Sequence, residues 1–202
     1  MTVIVREPTV AAFDFDGTLT RGESFFRFLR HVTPLPRFVG AFVLSAPTIA
    51  SYLLGWKDNE TAKVIVLRHF LRGRPLSEVA PLAEEFARKV IPRTVRPEAL
   101  AGLRGHQKQG HVCILVSATL ALYLRPWAEQ AGFDEVLATE LAVDAQGRLT
   151  GELASPNCYG PEKARRLQAH LGRDRIHSAY GDSEGDTEML AMAAHPYYRP
   201  WR

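Results

Sequence analysis

Cysteine is scarce in this sequence: Cys113 and Cys158 are the two among 202 residues. One falls in a strand-like run and the other in a loop-like one, without paired spacing. That excludes a disulfide framework and a cysteine-based zinc site, and it points to a reducing compartment. An apolar leader is also missing, because Arg6 and Glu7 follow only a few apolar residues, so no secretory segment is expected and the cytoplasm is the default location. No internal repeat and no low-complexity tract breaks the chain. A chain of 202 residues can still bury a good core, either as one domain with an insertion or as two small domains.

Charge is present in both signs but unevenly. From Arg21 to Arg96 there are thirteen Lys/Arg and six Asp/Glu, a net of +7 against +3 for the whole chain, which leaves −4 for the remainder. A basic stretch beside an acidic one attracts phosphorylated or otherwise anionic ligands. No nucleic-acid-binding module accompanies the basic residues, so nucleic acid is not expected as a partner.

The most informative run is Thr9 to Thr18. Thr9-Val10-Ala11-Ala12-Phe13 is apolar and reads as a short interior strand, which Gly17-Thr18 then breaks before a helical pattern begins at Ser24-Phe25-Phe26. Asp14 and Asp16 therefore share a face at the carboxyl end of a buried strand, where open α/β sheets bind ligands. Two carboxylates that close repel unless a cation or a proton lies between them. Downstream, His111 to Val116 reads as a second strand that delivers Ser117. Arg175 to Tyr180 reads as a third, ending in Gly181-Asp182-Ser183-Glu184-Gly185-Asp186. Lys163 lies in the first turn of a helix opened by Gly160-Pro161-Glu162, with proline where helices tolerate it best. The run from Gly181 to Gly185 also spells Gly-x-Ser-x-Gly. A nucleophile elbow needs an acid and then a histidine after its serine, and only His195 follows, so that reading is rejected.

Asp14-Phe15-Asp16-Gly17-Thr18, Ser117, Lys163 and Asp182 with Asp186 resemble, in order and spacing, the four motifs of the haloacid dehalogenase-like (HAD) superfamily. They are most similar to the branch that holds phosphoserine phosphatase and the phosphatidylglycerophosphatase C type proteins. The resemblance covers nearly the whole chain. It implies an α/β fold with a doubly wound, Rossmann-like parallel sheet and an inserted α-helical cap. The expected division is a catalytic core at 1–22 and 92–202, with the cap at 23–91.

The resemblance also implies roles. Asp14 would be the nucleophile that takes the phosphoryl group, and Asp16 the acid that protonates the leaving alkoxide and then activates water. Magnesium, which prefers oxygen ligands, would be held by Asp14, Asp16 (through its backbone carbonyl) and Asp182. Ser117, with Ala118 beside it, and Lys163 would hold phosphoryl oxygens, Asp186 would orient Lys163 or a metal-bound water, and Thr18, counted with the substrate-binding residues, would hydrogen-bond the nucleophile loop.

Within the expected cap, Phe38 to Trp56 runs without a charge between Arg37 and Lys57. Its length suits a membrane span, but Pro47 would kink a helix at its middle, and a span would place the two halves of one core on opposite sides of a membrane. The expected alternatives are a helix buried in the cap and a surface-lying or re-entrant hairpin at the cytoplasmic face of a membrane, with Tyr52 and Trp56 favouring the second. Glu23 and Arg68 fall where phosphoserine phosphatases contact their substrate, whereas Ser117-Ala118-Thr119 departs from the Ser-Gly-Gly usual there. The expectation is a phosphomonoester hydrolase acting on a lipid-linked or amphiphilic substrate. Phosphoserine or another small soluble phosphomonoester is the alternative, and a catalytically silent binding protein is the non-enzymatic one.

Overall fold

A computed structural model describes residues 8–201; the expectation resting on Arg6 and Glu7 lies outside them. The chain begins with β1 (Val10–Phe13) and a tight loop. Four helices follow, α1 (Phe25–Val32), α2 (Leu35–Leu53), α3 (Asn59–Leu71) and α4 (Leu76–Lys89). Next come α5 (Pro97–Lys108), β2 (Val112–Leu120), α6 (Ala121–Ala131), β3 (Glu135–Thr139) and the strands β4 (Leu141–Val143) and β5 (Leu149–Leu153). The chain closes with α7 (Pro161–Leu171), β6 (Ile176–Gly181), α8 (Thr187–Ala191) and β7 (Ala193–Tyr198).

Five strands form one sheet in the order β3-β2-β1-β6-β7, every neighbouring pair parallel. Strand β1 lies at its centre with all four residues inaccessible to solvent. Ala11 and Phe13 join the larger apolar cluster on one face, and Val10 and Ala12 the smaller one on the other. A parallel strand covered on both faces is apolar throughout rather than alternating, and this explains the uninterrupted run read from the sequence. Leu103 of α5 and Leu124 of α6 belong to the first cluster, Leu167 of α7 and Met189 of α8 to the second. The doubly wound α/β architecture expected from the motifs is therefore present.

Strand β7 was not expected. Its pattern, Ala-Ala-His-Pro-Tyr-Tyr, is largely exposed and contains a proline, which sequence reasoning takes as a mark against a strand. At the sheet edge its outer backbone needs no partner, and Ile176 to Gly181 pair with Ala193 to Tyr198 along its inner side.

The hairpin expected around Ala145 to Arg148 is the antiparallel pair β4–β5. It packs on α3 rather than on the main sheet. Backbone hydrogen bonds join Gly73 to Leu149, Leu149 to Arg74 and Leu76 to Gly147, and Gly151 lies so close that a Cβ there would meet the Arg68 Cα at 2.7 Å.

Helix α2 departs from the buried-helix alternative for the apolar stretch. It runs unbroken through Pro47, and only Ala41, Ser45 and Thr48 are buried, so it is not a core helix. Val43 is 63% exposed, Leu44 66%, Leu53 76% and Trp56 78%. No helix among the described residues is long and apolar enough to cross a membrane.

Candidate active site

The loop after β1 turns sharply because Gly17 adopts φ +80°. A Cβ there would be strained and would lie 2.5 Å from a carboxylate oxygen of Asp182, so only glycine fits. The turn sends the two aspartates to different partners. Asp14 accepts from Lys163 Nζ at 2.5 Å, while Asp16 accepts from the Ser24 N–H (3.0 Å), Ser24 Oγ (2.8 Å) and Thr119 Oγ1 (2.9 Å). Both line one cavity of about 460 Å³, together with Ser117, Ala118, Lys163 and Asp182. This places the motif residues at the carboxyl end of the sheet, as the motif spacing requires.

Lys163 is 2% exposed and bridges two carboxylates, Asp14 and, at 2.6 Å, Asp186. Asp186 is fully spent: its other oxygen accepts from the backbone N–H groups of Asp182 and Ser183 and from Ser183 Oγ, each at 3.0 Å. Burial opposes its charge, yet Lys163 and those donors hold its pKa below the usual carboxylate range. Burial opposes the lysine charge too, but Asp14 and Asp186 keep its pKa above the ordinary value. One ammonium cannot compensate every acid here. Burial, joined by the Asp186 charge, pushes Asp14 up to about 7 in spite of Lys163.

That imbalance is what a metal would correct. Carboxylate oxygens of Asp14, Asp182 and Asp186 lie within 4.8 Å of one another, all buried. Three carboxylates against one ammonium leave a formal deficit of two positive charges, and the donors are hard oxygens of the kind magnesium takes. Because Asp186 is committed to Lys163 and the backbone, Asp14 and Asp182 are the better-placed carboxylate ligands. The Asp16 carboxylate is occupied by hydroxyls and a backbone N–H, so any contribution from Asp16 falls to its carbonyl, as the resemblance implied. Burial raises the Asp16 pKa, countered by the donors from Ser24 and Thr119. A carboxyl whose pKa is raised by burial and that faces a cavity is suited to general acid chemistry.

Among the expected substrate contacts, Glu23, Ser117 and Ala118 line the cavity. Ser117 lies inside β2 rather than at a helix start, at a register shift between Ser117 and Leu120 that redirects the side chains there. Two of the expected residues lie outside that lining. Thr18 does not line the cavity; its hydroxyl donates to Asp182 at 3.2 Å, which fixes a carboxylate. Arg68 is also absent from the lining, and it pairs with Glu152 on β5 at 2.5 Å, its side chain 47% exposed.

The cation that reaches the cavity from α3 is Lys63, which sequence reasoning missed. Its Nζ donates to the Ala118 carbonyl (2.8 Å) and to Asn157 Oδ1 (2.7 Å). Burial pushes its pKa down to about 8 against the pull of Asp16. Ser24, Thr119 and Tyr123 were missed as well: the Tyr123 hydroxyl lies 2.8 Å from Ser24 Oγ and so extends the support of Asp16 inward. A hydroxyl eight residues after Asp16 and another two after Ser117 were the available signals.

Three comparisons bear on this arrangement. A family model described as haloacid dehalogenase-like hydrolase matches residues 11–191. Protein CicA of Caulobacter vibrioides is 36% identical over 197 residues, covering 97% of this chain and 88% of its own. The crystal structure of a protein of unknown function from Bordetella pertussis Tohama I superposes with a TM-score of 0.80 at 26% identity, over 92% of this chain and 87% of its own. A phosphoserine phosphatase solved as a phospho-aspartyl intermediate analogue shares the fold, with a TM-score of 0.63 at 21% identity over 93% and 84% of the two chains.

Proposed function

The chain belongs to the haloacid dehalogenase-like hydrolase family, and from that premise we propose that it is a magnesium-dependent phosphomonoester hydrolase working through a phosphoaspartate. The observation that carries the reading is the buried Asp14–Lys163–Asp186 row beside Asp182, with a separately hydrogen-bonded Asp16 facing the same cavity. Asp14 attacks phosphorus and the ester bond breaks, while Asp16 gives its proton to the departing oxygen. Asp16 then takes a proton from water, which hydrolyses the acyl phosphate and regenerates Asp14. Ser117 and Lys163 hold the phosphoryl oxygens and offset their charge. Magnesium, held by Asp14, Asp182 and the Asp16 carbonyl, would supply further neutralisation of those oxygens.

Helices α1 to α4 act in this reading as a cap at 23–91 over a core at 1–22 and 92–202, with the β4–β5 hairpin as its brace. The substrate is a lipid-linked or amphiphilic phosphomonoester met at the cytoplasmic face of a membrane. In support, Ile49 and Tyr52 of α2 line the cavity together with Phe25, Phe26 and Val66, while the outer side of α2 is exposed and apolar. Phosphoserine is the second reading, favoured by Glu23 in the cavity and weakened by the distant Arg68. A silent binding protein would have no need of the complete acidic set. The test is hydrolysis of an aryl phosphate with and without magnesium, followed by specificity constants for a lysophospholipid-type phosphate and for phosphoserine. Magnesium-dependent turnover with the amphiphile ahead supports the reading, and a higher constant for phosphoserine transfers it to the second.

A further inference from the structure

Lys63 and Asn157 form an arrangement that the chemistry above does not use. Asn157, in the loop between β5 and α7, is 4% exposed and meets the first turns of α3 at three points. Its backbone N–H donates to Glu60 Oε2 (2.7 Å), its Nδ2 to Asn59 Oδ1 (2.7 Å), and its Oδ1 accepts from Lys63 Nζ and from Thr139 Oγ1 (2.9 Å). The Ala118 carbonyl, next to Ser117, takes a second Lys63 N–H. An ammonium has three N–H bonds, and two of these end on protein acceptors. The third meets no hydrogen-bond acceptor among the described residues, and Lys63 lines the cavity together with Asp16 and Glu23. Beyond it the lining turns apolar, with the Lys63 ammonium 5.9 Å from the centre of the Phe25 ring.

We propose that Lys63 is a specificity residue that donates a hydrogen bond to an oxygen acceptor on the leaving group, close to the ester, and that Asn157 is the positioning residue that holds it there. The inference rests on the phosphatase reading and narrows its substrate class: an oxygen-bearing carbon next to the ester carbon, with apolar substance further out. A partly buried cation with an open N–H gains from any ligand that fills it, and a charge-assisted hydrogen bond of this kind is worth about tenfold or more in affinity. A substrate lacking that oxygen leaves the N–H unpaired in a water-poor site.

The test compares sn-glycerol 3-phosphate with 1-propyl phosphate, which lacks its hydroxyls, using aryl phosphate as a reference. Specificity constants are measured on the wild type, Lys63→Met, Lys63→Arg and Asn157→Ala. Dissociation constants are measured by calorimetry on Asp14→Asn protein with and without Lys63→Met. The wild type is expected to favour glycerol phosphate at least about tenfold in both quantities. Lys63→Met should bring the ratio close to one through a higher KM for glycerol phosphate, a larger change than any on aryl or propyl phosphate. Lys63→Arg should restore part of the preference, and Asn157→Ala should narrow it, which decides the matter if Lys63→Met does not fold. A wild type without the preference, a preference that survives Lys63→Met, or an equal loss on all three substrates overturns the assignment. If no ester is turned over while the binding preference is present, the phosphatase reading has failed and the role of Lys63 stands.

Discussion

Replacing Asp186 should damage the fold as much as the chemistry. The side chain is inaccessible to solvent and accepts from Lys163, two backbone N–H groups and the Ser183 hydroxyl. Asp186→Ala leaves Lys163 with Asp14 as its remaining carboxylate partner, and breaking one side of a buried pair costs about 3–5 kcal/mol. The buried Asp182 N–H also loses its acceptor, for a further 1–3 kcal/mol or so. With Asp14 taking up part of the lysine charge, the net expectation is about 4–6 kcal/mol. That is a large share of the roughly 5–15 kcal/mol a domain possesses. For a chain of this length each kcal/mol lowers Tm by about 2–4 °C, so a fall of about 10–20 °C is expected. Urea unfolding followed by circular dichroism measures it, with the slope unchanged if both states keep their compactness. Asp186→Asn should cost less, since one amide oxygen can still serve the backbone donors. If Asp186→Ala lies within about 1 kcal/mol of wild type, the argument that this carboxylate is the anchor of Lys163 is wrong.

The opposite result is expected for Arg68: its pair with Glu152 is exposed and screened by solvent, so Arg68→Ala should leave Tm close to that of the wild type and the KM for phosphoserine unaltered. Asp14 gives a pH signature. Burial raises its folded pKa to about 7 against 3.8 in the unfolded chain, so without metal its contribution to stability is full below about pH 3.8 and lost as the pH rises through about 7. Magnesium competes with that proton, so thermal scans should show it raising Tm more at pH 8 than at pH 5; equal shifts would count against Asp14 as a ligand. For α2, the protein should co-sediment with anionic vesicles in a salt-sensitive manner, and Val43→Asp with Leu44→Asp should release it; no sedimentation at low salt would remove the membrane-face reading.

Much of the site was legible because its residues stand where chain geometry leaves little choice. Asp14 follows a fully buried strand, Gly17 needs positive φ, Lys163 follows a helix-opening proline, and Asp182 follows β6. Each position is local in sequence, so spacing reveals it. The cation reaching the cavity from α3 was not legible. Lys63 and Arg68 are five residues apart on α3, about 140° around a helix, and therefore look in different directions. Which of them faces the core depends on how α3 docks against Asn157 and the β4–β5 hairpin, contacts more than eighty residues away along the chain. Helix α2 was ambiguous for a related reason. An uncharged stretch fits a buried helix and an exposed apolar one equally well, and only the packing of Ala41, Ser45 and Thr48 shows which side is covered.

The central claim is that Asp14 carries the phosphoryl group. Brief reaction with a phosphomonoester and magnesium, followed by an acid quench and borohydride reduction, converts an aspartyl phosphate to homoserine, which peptide mass spectrometry can locate. The account predicts homoserine at position 14, dependent on substrate and absent from Asp14→Asn. Turnover in full with no reduced residue at position 14, or with the label on another side chain, would contradict it.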